Sequence, residues 1–369
     1  MNVVHFETVI IGGGQAGLSA GYHLAKRGRR FVILDANERI GDAWRERWDS
    51  LRLFTPAKFS SLPGLPLAAS AWSFVTKDQL ADYLESYAAQ FALPVRTGVT
   101  VERLSRADGR FVAVAGDTRY EAENVIVATG AHRIPKLPAF APELDPRIVQ
   151  LHSCQYKNAS QLQEGDVLVV GAGNSGAEIA LELSRTHRCW LAGPSTGQIP
   201  VRHGSLAARP FFRVFRFVGH RVLRVDTPIG RKVGPKLVAK GDPLIRTKLK
   251  DLLAAGVERV PRVVGVQNGL PVLEYGLSLD VANVVWCTGF GTDFGWIDLP
   301  VFGDDGQPLH YRGVVDAEPG LYFLGLVFQY SFSSDVLPSR GRDAEYIVKH
   351  IASRQPHRAM HSEIALAEA

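Results

Sequence analysis

Two stretches of the chain show the same change from an unbroken apolar run to an apolar pattern of helical period. Residues 8–11 and 167–170 are short runs rich in valine and isoleucine, as in strands buried on both faces of a parallel sheet. Residues 16–26 and 175–183 follow, with apolar side chains every three or four positions, as in helices that bury one face. Each stretch therefore predicts a strand followed by a helix.

The turns between these strands and helices carry the pattern G-x-G-x-x-G. In such a turn the first glycine allows the tight bend, the second lets the backbone approach a pyrophosphate, and the third lets helix pack against strand. The helix then offers free N–H groups to the phosphates. The predicted phosphate-binding residues are Gly12, Gly14, Gln15, Ala16 and Gly17 in the first turn and Gly171, Gly173, Asn174, Ser175 and Gly176 in the second. Two such turns predict two bound dinucleotides and hydride transfer between them.

The residues that follow the next strand distinguish the two sites. Asp35 lies 18 residues after Gly17, near the offset of a carboxylate that binds ribose hydroxyls. Because this carboxylate would repel a 2′-phosphate, the first site suits FAD or NAD. The corresponding strand of the second site ends at residues 193–195 without an acid, and Ser195 is one of the polar residues that could reach a 2′-phosphate. NADPH is favoured there, and NADH stays open.

The order of elements predicts an α/β fold with two Rossmann-like dinucleotide-binding domains, the NAD(P)-binding one inserted into the FAD-binding one. We place the first part of the FAD-binding domain at 1–145, the NAD(P)-binding domain at 146–282 and the C-terminal part of the FAD-binding domain at 283–369. A basic helical insertion is expected at 202–250.

Several shorter elements can be placed within these domains. We predict three strands at 99–104, 111–114 and 119–121, then a separate strand from residue 124 that leads to Thr129 and Gly130. The run before Thr288 and Gly289 resembles the run before Thr129 and Gly130 and would end the second domain. A strand at 321–325 and a helix at 342–352 would rejoin the first sheet.

Composition limits the class of protein. The chain has 369 residues, 46% hydrophobic and 21% charged, as in a globular protein with a sizeable core. We expect no transmembrane span and no secretory signal, and therefore a cytoplasmic location. Cys154, Cys189 and Cys287 form no closely spaced redox pair, which sets the disulfide reductases aside. The eleven histidines show no metal-ligand spacing, so we expect no metal site.

Positive charge is concentrated in one segment. The net charge is +5, but residues 202–250 carry 13 Lys or Arg and only the acids Asp226 and Asp242, which gives +11. The favoured interpretation is a helical cover of the active site whose arginines are solvated. Steering of an anionic cofactor comes second, and contact with a membrane surface is the least favoured. Nucleic-acid binding is not expected, because no recognised module accompanies the charge.

Four further motifs resemble those of a known family. Residues 152–156 match the second half of the pattern FxGxxxHxxx(Y/F), although Pro146 and Ile148 stand where the first half has Phe and Gly. The segments 44–56, 288–294 and 341–346 match in the family's order, so that the likeness covers nearly the whole chain. The chain resembles small bacterial flavin-containing monooxygenases of the class B flavoprotein monooxygenases.

The resemblance implies a mechanism and several site residues. NADPH would reduce FAD, and the reduced flavin would react with O2 to a C4a-hydroperoxide that passes one oxygen atom to an amine nitrogen or a sulfide sulfur. By family position the candidate catalytic residues are Phe54 and Trp44 along the flavin and Gln329, which would hydrogen-bond its ring or be an ordinary loop residue. Arg45 would pair with the FAD phosphates. The remaining predicted cofactor contacts are Thr129, Gly130, Thr288 and Gly289.

Other functions stay open at this point. The chain could be an NAD(P)H oxidase or electron-transfer reductase that releases little oxygenated product. It could also insert oxygen into ketones, as Baeyer–Villiger enzymes do, or be a non-catalytic redox sensor that binds both nucleotides. A small-molecule substrate and O2 are the expected partners, and a homodimer is left open.

Overall fold

The structure, a computed structural model, describes residues 2–130, 134–240, 242–334 and 336–354, apart from the side chains of residues 235–240 and 338. The strands are β1 (Asn2–Ile11), β2 (Phe31–Leu34), β3 (Val95–Arg96), β4 (Arg103–Ala107), β5 (Arg110–Ala115), β6 (Thr118–Val127), β7 (Ile134–Pro135), β8 (Val149–His152), β9 (Val167–Val170), β10 (Cys189–Ala192), β11 (Glu258–Val260), β12 (Val263–Gln267), β13 (Leu270–Leu273), β14 (Asn283–Trp286), β15 (Phe290–Gly291) and β16 (Leu321–Phe323). The α-helices are α1 (Gln15–Ala25), α2 (Asp42–Arg45), α3 (Lys77–Gln90), α4 (Asn174–Leu183), α5 (Ala208–Phe217), α6 (Pro228–Lys240), α7 (Leu249–Ala254) and α8 (Leu337–Ser353).

The first sheet is built around β1 and β6. Its strand order is β3-β2-β1-β6-β5-β4, and β16 pairs in parallel with β6. The pairing of β16 confirms that the chain returns to this sheet near its C-terminal end. The two strands predicted at 119–121 and from 124 are wrong as separate elements. They form the single strand β6, because nine of its ten residues pair with β1 in one constant register and the first five also pair with β5.

The second sheet is wholly parallel, with the order β11-β10-β9-β14-β8. It contains β14, in agreement with the expectation that the run before Thr288 ends the second domain, so the boundary drawn at residue 282 lies one strand too early. All four residues of β14 are buried between β9 and β8, and the Asn283 side chain accepts a hydrogen bond from the Gln163 backbone N–H at 3.0 Å. The chain therefore leaves the second sheet only after Trp286.

The two sheets together confirm the predicted fold class. Each begins with a strand, a glycine-rich turn and a helix, and the second sheet is formed by chain that lies between β6 and β16 of the first. The chain passes between the sheets at β7 and at β15, and these two short strands pair with each other in antiparallel fashion. The two crossings therefore lie side by side.

Two helical regions differ in extent from their predicted bounds. α8 begins at Leu337 rather than at residue 342, because proline is tolerated in the first turn of a helix. Within the basic segment, α5 runs into a π-helical turn at Val218–Val222, and α6 follows after a short loop.

A buried ion pair joins α4 to the segment before α7. The Glu178 carboxylate lies 3.3 Å from the Arg246 guanidinium, with 13% of the Glu178 side chain exposed. Arg246 also donates a hydrogen bond to the Arg52 carbonyl oxygen at 2.8 Å. Burial raises the pKa of Glu178 to about 7, although the nearby Arg246 acts in the opposite direction.

We expect Glu178 to make stability depend on pH. Because its pKa is higher in the folded than in the unfolded state, its contribution is complete below about pH 4.5 and is lost as the pH rises through about 7. Glu178→Gln, which stays neutral, should match the wild type near pH 5 and exceed its unfolding free energy by about 2 kcal/mol near pH 8.5. Urea unfolding at the two pH values measures this difference.

The exposed Glu164→Gln serves as the matched control and should track the wild type at both pH values. Parallel pH profiles of the wild type and Glu178→Gln would show that Glu178 is already ionised in the folded protein.

Candidate active site

The two glycine-rich turns have nearly the same backbone geometry. Gly12 has φ +113° and Gly171 has φ +111°, in the region that side chains disfavour. A Cβ at Gly12 would overlap the carbonyl oxygen of Ala128 at the end of β6, and a Cβ at Gly171 would overlap that of Cys287 just after β14. Each turn therefore packs its backbone directly against the neighbouring strand.

The last glycine of each turn brings the helix close to the bend. A Cβ at Gly17 would overlap the Gly12 carbonyl oxygen, and a Cβ at Gly176 would overlap that of Gly171. This contact fixes the start of α1 and of α4 against its own turn.

The middle glycines, Gly14 and Gly173, leave open space in front of the two helices. They are the N-cap residues of α1 and α4, both in extended conformation, and neither helix has a side-chain cap. A Cβ at either position would meet no atom within 4 Å, so no protein contact requires glycine there. Because the first N–H groups of a helix lack partners within it, this space suits an anion such as a pyrophosphate. The residues thus fit two dinucleotides.

Asp35 lies against the first turn. Its carboxylate accepts hydrogen bonds from the Gly13 backbone N–H and, at 2.8 Å each, from the backbone and side-chain N–H groups of Asn37. Only 7% of the residue is exposed. The acid is thus held at the edge of the first site, and its contact with a ribose stays a prediction.

An arginine that was not predicted as a site residue lies beside the loop after β10. Ser195 is exposed and accepts a hydrogen bond from the Gly197 N–H at 3.2 Å. Arg259, on β11, donates a hydrogen bond to the Gly193 carbonyl oxygen at 2.6 Å. The parallel pairing of Leu191 with Arg259 places this cation beside the loop, and no local pattern reveals that register.

A cavity of about 600 Å³ has lining segments that contact both glycine-rich turns. Asn174 connects it to the second turn, because its side chain bonds the Pro243 carbonyl oxygen at 3.1 Å and the Ile245 N–H at 2.9 Å, and both partners line the cavity. On the other side, Gly325 packs near Ala16 of the first turn, and the residues directly after Gly325, 326–328, line the cavity. Much of the wall is aromatic, with Phe54, Phe59, Phe211, Phe290, Phe328 and Phe332.

Two of the predicted site residues lie at the cavity or at the first turn. Phe54 lines the cavity, and its carbonyl oxygen is 2.9 Å from the His203 Nε2 atom. The Trp44 indole N–H donates a hydrogen bond to the Gln15 side-chain oxygen at 3.2 Å, which brings Trp44 to the start of α1. Their contact with a flavin ring stays a prediction.

The Arg45 side chain is held by carboxylates within the protein. Its guanidinium donates to the Ile40 carbonyl oxygen at 2.7 Å and pairs with Asp42, Asp82 and Glu85 at 3.0 to 3.2 Å. Arg45 therefore connects α2 to α3, and its contact with the FAD phosphates stays a prediction.

Gln329 is 1% exposed, and its contact with a flavin ring stays a prediction. Its side-chain oxygen accepts hydrogen bonds from the backbone N–H groups of Gly325 at 2.8 Å and Leu326 at 3.2 Å. Its side-chain N–H donates to the Arg312 carbonyl oxygen at 3.3 Å. The amide is occupied by backbone partners, so Gln329 braces the loop that lines the cavity.

Thr129 and Gly130 follow β6 beside the first turn, and Thr288 and Gly289 follow β14 beside the second. The Thr288 hydroxyl donates a hydrogen bond to the Lys136 carbonyl oxygen. The Gly289 carbonyl oxygen lies 3.1 Å from His152 Nε2 and accepts from the Lys136 N–H at 3.0 Å. This pair therefore ties the two crossings together, and its contact with a cofactor stays a prediction.

A chain of buried polar groups at the wall of the cavity was not predicted. The Ser339 hydroxyl is 2.7 Å from that of Ser333 and 3.1 Å from His220 Nδ1, and both serines line the cavity. Burial, together with the neighbouring Arg342, lowers the pKa of His220 to about 4, which leaves the imidazole neutral at pH 7. More than a hundred residues separate His220 from Ser339, so no sequence pattern joins them.

The cysteines are held as thiols. Burial raises the pKa of Cys189 to about 12 and also raises the pKa values of Cys154 and Cys287. Since the thiolate is the nucleophile in thiol–disulfide exchange, these residues lack the activated state that a disulfide reductase needs.

Comparison with known proteins agrees with this geometry. Residues 9–191 match the pyridine nucleotide-disulphide oxidoreductase family. A CzcO-like oxidoreductase of Geobacillus kaustophilus is 39% identical over 94% of this chain and 98% of its own length. A probable indole-3-pyruvate monooxygenase, YUCCA9 of Arabidopsis thaliana, is 33% identical over 86% of this chain and 83% of its own length.

A solved structure shows the same relationship in three dimensions. The flavin-containing monooxygenase from Stenotrophomonas maltophilia superposes with a TM-score of 0.75 at 29% identity, and the match covers 95% of this chain and 99% of that one. Two glycine-rich turns, the inserted parallel sheet and these relatives lead to one conclusion: the chain belongs to the flavin-containing monooxygenases, a family of oxidoreductases with two dinucleotide-binding domains.

Proposed function

We propose that this protein is an FAD-containing, NAD(P)H-dependent monooxygenase that transfers one oxygen atom from O2 to an amine nitrogen or a sulfide sulfur of a small, largely apolar substrate. One observation carries the proposal: the wall of an aromatic-lined cavity is formed by segments that contact both glycine-rich turns. Electrons from a nicotinamide at one turn would thereby reach a flavin at the other beside a bound substrate.

The first turn would hold FAD, with the pyrophosphate at the start of α1 and Asp35 at a ribose. The bound flavin would supply the redox and oxygen-activating chemistry. The second turn would hold the nicotinamide nucleotide at the start of α4. NADPH is the better fit, because the loop after β10 has no acid and Arg259 lies beside it to attract a 2′-phosphate.

The chain's own residues would bind the substrate and keep water out. Phenylalanines on several sides of the cavity offer apolar contact and exclude solvent, as in most small-molecule sites. Arg216, Ser333 and Ser339 supply a few polar groups at the wall, which would orient a substrate rather than provide most of its affinity. Oxygen transfer to a soft nucleophile fits this polar-poor lining.

A second substrate is favoured by a specific observation. Relatives named as indole-3-pyruvate monooxygenases cover most of this chain. Indole-3-pyruvate joins an aromatic ring to a carboxylate, and the aromatic wall with Arg216 and the two serines could accommodate both parts. It therefore belongs in the first substrate panel.

We expect a suitable substrate to divert reducing equivalents from peroxide to product. With an aromatic sulfide, a tertiary amine or indole-3-pyruvate, most of the NADPH consumed should appear as oxygenated product rather than as H2O2. Phe54→Ala should raise the peroxide share, because it opens the apolar wall to water. NADPH loss, product and H2O2 measured in one reaction give the ratio. If peroxide accounts for nearly all NADPH with every compound, the protein is an oxidase.

We expect one added methyl group at each glycine-rich turn to weaken the binding of only one nucleotide. Gly14→Ala places a Cβ in open space at the start of α1, where it would displace a phosphate without disturbing the protein. FAD affinity should fall about tenfold or more, equivalent to ~1.4 kcal/mol. Gly173→Ala should retain flavin and raise the NADPH concentration needed for half-maximal anaerobic reduction by about the same factor.

Gly265→Ala on β12 is the matched control, because a Cβ there also meets no atom within 4 Å. It should leave flavin content and the reduction rate unchanged. Full flavin occupancy in Gly14→Ala would contradict the assignment of FAD to the first turn.

A further inference from the structure

Large apolar side chains form an exposed stripe along α5 and the turn before it. Leu206 is 72% exposed, Val214 62% and Phe217 61%, and Pro210 between them is also exposed. Positions 206, 210, 214 and 217 are spaced by four, four and three residues, which places them on one face of a helix. We refer to these four residues as the α5 stripe.

The opposite side of α5 faces the cavity. Phe211, Phe212 and Phe215 line the cavity, and Phe212 is 8% exposed. The helix thus covers the cavity with one side and turns the α5 stripe outwards. Single exposed apolar residues are common on protein surfaces, but four aligned along a helix and the turn before it are typical of an interaction site.

The residues around the α5 stripe are basic. Arg209, Arg213, Arg216 and Arg221 are exposed on the same helix and the turn after it. Residues 202–225 contain no acid, and the next one, Asp226, is paired with Arg224 at 2.8 Å. The guanidinium groups of Arg209 and Arg213 lie 5.4 and 5.7 Å from the centre of the Trp72 ring, which holds both cations beside the helix.

We propose that the α5 stripe and its arginines bind the surface of an anionic lipid bilayer. Apolar side chains on one face with arginines beside them match the chemistry of a headgroup boundary, where the former enter the acyl region and the latter meet phosphates. Within the described residues, none of the helices has the length and apolar composition that a bilayer crossing needs.

A second copy of the chain fits this surface less well. In a symmetric dimer the same patch faces itself, so the arginines of one copy would lie against those of the other. Membrane contact was the least favoured interpretation of the sequence, which does not show which side of α5 is exposed. The exposed fractions of Leu206, Val214 and Phe217 leave a surface for this contact while the other side of α5 covers the cavity.

Vesicle co-sedimentation of the flavin-loaded protein tests the proposal. The wild type should bind vesicles of phosphatidylcholine with phosphatidylglycerol and should bind pure phosphatidylcholine vesicles much more weakly. Raising NaCl from about 50 to about 500 mM should weaken the binding, because salt screens the arginines. Absence of binding to the anionic vesicles at low salt would overturn the proposal.

Two valine variants provide a matched comparison. Val214 is 62% exposed on the α5 stripe, and Val264 is 53% exposed on β12. Val214→Glu should weaken vesicle binding about tenfold, because it places a carboxylate at the apolar boundary and opposes the arginines. Val264→Glu should bind like the wild type. Equal binding by the two variants would overturn the proposal.

Two further measurements separate the remaining outcomes. Flavin content and NADPH oxidation without vesicles should be unchanged in both variants, since neither valine lines the cavity, so the proposed function is tested independently. Light scattering without lipid reports self-association. If Val214→Glu converts a dimer into a monomer while the wild type ignores vesicles, the α5 stripe is an interface between copies and the membrane proposal fails.

Discussion

The close approach of two backbones underlies both nucleotide sites. At each glycine-rich turn the main chain of Gly12 or Gly171 touches the carbonyl group that ends a neighbouring strand, and no side chain fits between them. This contact sets where α1 and α4 begin, and thus where their unpaired N–H groups point. The cavity then follows, because the loops that wall it are attached to those two helix starts through Gly325 and Asn174.

Features that depend on a few neighbouring residues could be predicted from the sequence. The glycine turns, the buried strands β1 and β9 and the return of the chain at β16 are each encoded in short runs. The pairing of side chains with distant partners could not be predicted. Arg45 pairs with Asp82 and Glu85 of α3, which lie 37 and 40 residues further along the chain. The residues around Arg45 in the sequence do not show that these acids pair with it.

The same limit applies to the partners of the Gln329 side chain. A glutamine after a strand is equally suited to a ligand or to the backbone, and only the folded loop shows that Gly325, Leu326 and Arg312 occupy its amide. The run that forms β14 was expected to end the second domain, but the boundary at residue 282 was drawn one strand too early. The cavity could not be predicted at all, since its phenylalanines come from positions as far apart as 54 and 332.

The protonated state of the cysteines has a consequence for the lifetime of the protein. Any enzyme of this family that wastes part of its reducing power exposes its own surface to peroxide. Peroxide oxidises the thiolate far faster than the neutral thiol. Burial raises the pKa values of Cys154, Cys189 and Cys287, so these side chains stay in the less reactive thiol form. Peroxide released during turnover therefore causes little oxidation at these three positions.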